Sequence, residues 1–197
     1  MFARIFSFLL ISAAILEPQS AQRFEPPSWY ALGMEQGLAG STVDTILQDR
    51  RGLLWFGGES GVSRYDGHAF EVATASGPGG LRGTPPAVDL AEDSEGRLWS
   101  LFLDGSLAWI DQDSASLDMV RGPAGGGRAT SLAADRQDRL LVGDSRGSLW
   151  RRGSGGEWRR LAVLGDGSEP LSRLAVDARG RIWVATRGAG LFLLEEV

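Results

Sequence analysis

The sequence contains no cysteine, no lysine and a single histidine in 197 residues. Without cysteine there is no disulfide, no thiolate zinc site, no cysteine nucleophile and no lipoprotein anchor. Without lysine there is no Schiff base and no phosphate loop of the kind that closes on a lysine. His68 stands in Tyr65-Asp66-Gly67-His68, which reads as a turn leading into a strand; no nucleophile beside it makes it a general base. Long apolar runs are also scarce. The longest, Ile5 to Leu16, has twelve residues, short of the roughly twenty that span a bilayer.

Charge is equally spare. The net charge is -5, and all 20 basic residues are arginines scattered among acidic ones. No basic block calls for nucleic acid. The pairs Arg151-Arg152 and Arg159-Arg160 read as solvated strand ends. Glycine, at 28 residues, is plentiful, as in a turn-rich soluble domain. The start of the chain reads as a signal peptide over residues 1–21: Met1 to Arg4 is positive, Ile5 to Leu16 apolar, and Ala21 the expected last residue removed. The chain is therefore expected to be exported to the periplasm, with an uncleaved anchor as the alternative.

One phrase recurs four times: QDRRGLLW, EDSEGRLW, ADRQDRLL and VDARGRIW, with aspartates at 49, 93, 135 and 177, so the steps are 44, 42 and 42 residues. A constant period of this length marks a repeat architecture. Before each aspartate, Ile46, Leu90, Leu132 and Leu174 lie three residues back, and Val43, Ala87, Ala129 and Leu171 six back. This alternation predicts a strand packed on one face. The aspartate opens a tight turn, accepting backbone N–H groups that follow it. Gly52, Gly96 and Gly180 close that turn, with Asp138 in the third copy. A second strand carries Trp55, Trp99, Leu141 and Trp183. Their regular recurrence favours packing between sheets over a sugar-binding platform. A glycine turn, a third strand and an outer strand complete each unit. Four short antiparallel strands per period of 42 to 44 residues predict an all-β propeller.

These residues resemble the two-component regulator propeller repeat. The first copy, VDTILQDRRGLLWFGGESGVSRYDGHAF, is close to the family pattern, and Glu35-Gln36-Gly37-Leu38 resembles its lead-in. The fourth copy, DARGRIWVATRGAGLFLLE, matches too. The second departs at Ser100 to Asp104, and the third lacks both the turn glycine and the tryptophan. The expected domains are a lead-in strand over 22–40 and blades at about 41–83, 84–126, 127–168 and 169–197, the last incomplete. An open arc of blades is favoured. The alternative is a closed four-bladed ring in which Phe24 to Leu32 supplies an outer strand.

Other motifs carry less. The run Gly122 to Arg128 lacks the lysine of a phosphate loop. Asp111 to Asp118 begins like a calcium loop, but serine stands at its sixth position where glycine is required. No serine has a base partner for a hydrolytic triad. The chain is therefore expected to be no enzyme, with no catalytic, metal or cofactor-binding residue and with its ligand-binding residues unassigned. The resemblance implies a sensory propeller of hybrid histidine kinases, either a short or truncated member or a stand-alone relative. It also implies an extracellular ligand, carbohydrate by that resemblance alone, with further blades or a partner chain at the terminal blade. The other classes weighed are an interaction propeller and an exported lyase or glycosidase, the latter needing two carboxylates about 5–9 Å apart. Specificity is expected in the loops 74–86 and 121–128.

Overall fold

Among the described residues, sixteen short strands build four sheets in chain order. The computed structural model describes residues 28–75, 84–93, 95–135, 137 and 139–195. The proposed signal segment, the loop 76–83 and Asp138 lie outside the described residues. The chain divides after Ala31, and the unit from Leu32 onward holds all the strands.

The first blade comprises β1 (Val43–Gln48), β2 (Leu54–Gly58), β3 (Gly61–Tyr65) and β4 (Phe70–Val72), paired in that order. A two-residue strand, β5 (Thr74–Ala75), follows. The second blade contains β6 (Ala87–Glu92), β7 (Leu98–Phe102), β8 (Leu107–Asp111) and β9 (Ser116–Val120). The third contains β10 (Ala129–Ala134), β11 (Leu140–Asp144), β12 (Ser148–Arg152) and β13 (Trp158–Val163). The fourth has three described strands, β14 (Leu171–Val176), β15 (Ile182–Thr186) and β16 (Leu191–Leu194). The all-β propeller expected from the repeat is thus present. Two expectations change. The described lead-in, 28–40, forms a single 3-10 turn at Met34–Gln36 and no strand. And β5 pairs parallel with β9, giving the second blade a fifth strand. The chain leaving the first blade runs along its neighbour's outer edge and covers groups that an edge would leave unpaired.

The core lies between blades. Trp55, Val62 and Leu47 of the first pack on Leu90, Leu98 and Phe102 of the second. Trp99, Leu101 and Leu107 of the second pack on Leu132, Val142 and Trp150 of the third. Leu141 and Leu149 of the third pack on Leu171, Leu174, Ile182 and Val184 of the fourth. Consecutive apolar residues on β7 and β11 are buried on both faces, as a sheet between two neighbours requires. At Gly143 an added Cβ would stand 2.9 Å from Leu171 Cβ, so glycine lets the fourth blade approach the third. The inner strands pack in sequence, β1 on β6, β6 on β10 and β10 on β14. The pair β14 and β1, which would shut a four-bladed ring, is not among the packed or hydrogen-bonded strands. The arc is open.

Each repeated aspartate closes its own blade. Asp49 Oδ1 accepts the N–H groups of Arg51 and Leu53, both at 2.9 Å, and Oδ2 accepts the Trp55 indole N–H at 2.8 Å. Asp93 holds Trp99 in the same way, and Asp177 holds Trp183. In the third blade Leu141 takes the tryptophan's place: Asp135 pairs with Arg139 at 2.8 Å, as Asp93 does with Arg97, and has Arg151 at 2.9 Å where the others have an indole. The aspartate–tryptophan clamp moves one turn along: Asp144 accepts Arg146 and Ser148 N–H groups and the Trp150 indole N–H. This corrects the view of Arg151-Arg152 as solvated strand ends. Arg151 is buried against Asp135, and the Arg152 guanidinium lies 4.9 Å from the centre of the Trp99 ring. Arg160 likewise stacks over Trp150; an arginine plane over an indole gains a cation–π attraction.

Candidate functional site

All four inner strands slip register near their start, between Val43 and Thr45, Ala87 and Asp89, Ala129 and Ser131, and Leu171 and Arg173. An irregularity of this kind re-aims the side chains beside it. The residues that resume pairing are Thr45, Asp89, Ser131 and Arg173. They occupy one position of the repeat, four residues before each repeated aspartate, and all four are polar. Sequence reading passed over this position, although a polar residue set regularly into an apolar strand was a signal it contained.

Asp89 ties three blades together. Its Oδ2 accepts the N–H of Leu132 on β10 at 2.9 Å. Its Oδ1 accepts its neighbour Leu90 N–H at 3.2 Å and Arg173 Nη1 of β14 at 3.0 Å. Only 7% of Asp89 is exposed, whereas the Arg173 side chain is 61% exposed. Burial pushes the Asp89 carboxyl above its ordinary value, against the opposing pull of Leu132 N–H and Arg173. Beside this pair lies a cleft of about 200 Å³. Arg128 and Arg187 add two guanidinium groups to it, Thr130 and Ser172 add polar side chains, and Val88, Phe102 and Leu103 form an apolar wall. The cleft opens at the loop end of the blades, where β7 turns into β8 and β15 into β16. Arg128 closes the 121–128 loop in which specificity was expected. Of the loop 74–86, the described Thr74 and Ala75 form β5 and the 76–83 stretch lies outside the described residues.

The remaining candidates sit elsewhere and do structural work. His68 is in the Asp66 turn with 92% of its side chain exposed, and Asp66 Oδ1 accepts the His68 and Ala69 backbone N–H groups. Asp111 uses Oδ1 to hold Asp113 and Ser114 in a tight turn. In the glycine-rich run, Gly127 N–H donates to Asp144 Oδ2 and Arg128 N–H to Ser145 Oγ. Among the described residues no three of His, Asp and Glu converge as a metal site would need, and no helix is long and apolar enough to cross a membrane. A second cleft, of about 240 Å³, lies between the second and third blades at the aspartate-turn end. Its arginines are already engaged: Arg97 with Asp93 and Glu95, Arg139 with Asp135, and Arg152 over Trp99.

The carboxylates divide by environment, and this fixes an expected pH response. Trp183 and Arg181 hold Asp177 well below the ordinary value of 3.8, and Ser106 and Ser168 do the same for Asp104 and Asp166. Those groups contribute stability that is present above about pH 4 and lost as pH falls through their folded values. Asp89 has the opposite sign: ionised and buried, it subtracts from stability at neutral pH, and the cost recedes as pH falls through its raised value. Asp89→Asn keeps an acceptor for Leu132 while removing the charge. It is expected to be as stable as the parent or up to about 1 kcal/mol more so at pH 7, with the gap closing towards pH 4. Urea midpoints at the two pH values measure this; a variant markedly weaker at pH 7 would show that the ion pair outweighs desolvation.

A row of antiparallel blades with inner strands side by side defines a β-propeller. Residues 37–60, which run from the lead-in to the β2–β3 turn of the first blade, match the Two component regulator propeller family. No curated protein matches the chain. Among solved structures it is similar to a catalytically inactive virginiamycin B lyase from Staphylococcus aureus with quinupristin, at 14% identity and TM-score 0.66, covering 81% of this chain and 54% of that one. It is also similar to the extracellular domain of a hybrid two component system from B. thetaiotaomicron, at 17% identity and TM-score 0.64, over 86% of this chain and 26% of that one. A gluconolactonase-like protein aligns at 21% identity and TM-score 0.55, over 76% and 59%. At these identities the likeness is one of fold. The chain spans about half the length of the lyase and about a quarter of the sensor domain.

Proposed function

We propose that the chain is an exported, non-catalytic sensory propeller that binds an extracellular ligand at its loop face, as in two-component signalling proteins. The observation that carries this reading is the division of labour within the repeat. The recurring aspartates, tryptophans and glycines are used up in closing blades, whereas the position that differs in every blade, held by Thr45, Asp89, Ser131 and Arg173, contributes two residues to the cleft. Export rests on the proposed signal segment, and a carbohydrate ligand on family resemblance. An enzyme reading draws less support. The described lining of the cleft has one carboxylate, where a glycosidase uses two, and His68 lies in an exposed turn outside that lining.

The test is thermal unfolding of the chain from residue 22 onward against a panel of oligosaccharides and sugar acids. A ligand at one hundred times its Kd stabilises by about 2.7 kcal/mol, so a member of the panel is expected to raise the melting temperature by several degrees. A panel without any such shift would speak against ligand sensing. A second reading, docking of a partner chain or further blades, has its own observation. β16 pairs only with β15 among the described strands, and Leu191 and Leu193 on it are exposed.

A further inference from the structure

The cleft beside Asp89 is cationic in an acidic chain. Three guanidinium groups, those of Arg128, Arg173 and Arg187, face one carboxylate there, whereas the whole sequence carries a net charge of -5. The three are satisfied to different degrees. Arg173 gives Nη1 to Asp89. Arg128 gives Nη1 to the Leu103 carbonyl, and its charge is felt by nearby Asp104. The Arg187 side chain makes no hydrogen bond or ion pair with any described residue. The cleft at the other end of the blades has as many arginines, but each of those already has a carboxylate or an indole partner.

Resting on the ligand-sensing reading above, we propose that this cleft binds a small oxyanion, the carboxylate or phosphate of its ligand, held chiefly by Arg187 and Arg128. A guanidinium presents a planar fork of N–H donors that fits two oxygens at once. Arg173 is fixed at the cleft wall by Asp89, so its ordering precedes the ligand and costs binding nothing. Thr130 and Ser172 supply neutral hydroxyls beside the charges, and Phe102 and Leu103 add apolar surface on one side. The volume of about 200 Å³ lies below the roughly 300–1,000 Å³ of sites for larger organic ligands. It accommodates an acidic group and the unit that bears it.

Calorimetric titration of the chain from residue 22 onward with D-glucuronate, inorganic phosphate and D-glucose tests this. At low salt one or both anions are expected to bind while glucose at equal concentration does not, and the affinity falls as salt rises. Glucuronate alone binding assigns a carboxylate ligand; phosphate alone assigns a phosphate. Arg187→Gln should weaken binding about tenfold or more with an unchanged melting temperature, since the side chain has no described partner to lose. Arg128→Gln should act in the same direction, and Arg159→Gln, outside the cleft, should leave affinity as it was. Binding of glucose as tight as that of glucuronate, insensitive to salt, would remove the oxyanion and leave ligand sensing standing. Failure of both anions, or full affinity in Arg187→Gln, overturns the inference as well. If the oligosaccharide panel still shifts the melting temperature, only the inference has failed.

Discussion

Asp144→Ala is expected to lower stability by about 3–5 kcal/mol, the largest loss from removing one polar side chain. The carboxylate is fully buried and accepts four N–H groups: Arg146 at 2.8 Å, Ser148 at 2.9 Å, Gly127 at 3.0 Å and the Trp150 indole at 2.8 Å. Alanine leaves all four donors without a protein acceptor, and buried donors without partners are costly. It also unties the 121–128 loop from the third blade, since Gly127 is one of those donors. For a chain of this size the loss corresponds to a fall of about 10 °C in melting temperature. Asp144→Asn keeps the shape but turns an amide NH2 towards the N–H groups of Gly127 and Trp150, so it should recover only part. Scanning calorimetry of the two variants checks the order; a near-native Asp144→Ala would mean that water replaces the carboxylate.

Trp99→Ala should be equally severe, at about 3–5 kcal/mol, for a different reason. The ring is 1% exposed and fills the interface between the second and third blades, where it packs with Leu132, Leu140 and Val142. Arg97 and Arg152 cover it, and its indole N–H donates to Asp93 Oδ2 at 2.8 Å. Removal empties the interface and strips a donor from a buried carboxylate. Trp99→Phe keeps much of the volume and leaves Arg97 on Asp93, so about 1–3 kcal/mol is expected. Urea denaturation of the pair separates volume from hydrogen bond. An alanine variant within 1 kcal/mol of the parent would show that the blades do not depend on this ring.

Most of the scaffold was written in the spacing of the chain. The inner strands Ala87–Glu92 and Leu171–Val176 fall where alternation put them, because each blade is a local meander and needs no distant information. The third copy has Leu141 where the others have tryptophan, and its clamp lies further along the blade. Asp144 and Trp150 are six residues apart, like Asp49 and Trp55, so the shifted clamp was legible to anyone tracking the pair instead of the phrase. The parallel strand Thr74–Ala75 was not legible, since its partner Ser116–Leu117 lies about forty residues on. The cleft was hidden for the same reason. Asp89 and Arg173 meet across 84 residues, and nothing local to either announces the other. Asp89 is legible as the polar position four residues before its repeated aspartate, but its pairing with Arg173 is not.

The slip in register at the head of every inner strand has an evolutionary consequence. It offers the same outlook to whichever residue follows it, four times over, and that residue takes no part in closing the turn below. An exchange at Thr45, Asp89, Ser131 or Arg173 therefore leaves the aspartate turns intact, although at Asp89 and Arg173 it also removes bonds that run between blades. Duplication of blades multiplies such sockets together with the frame that holds them.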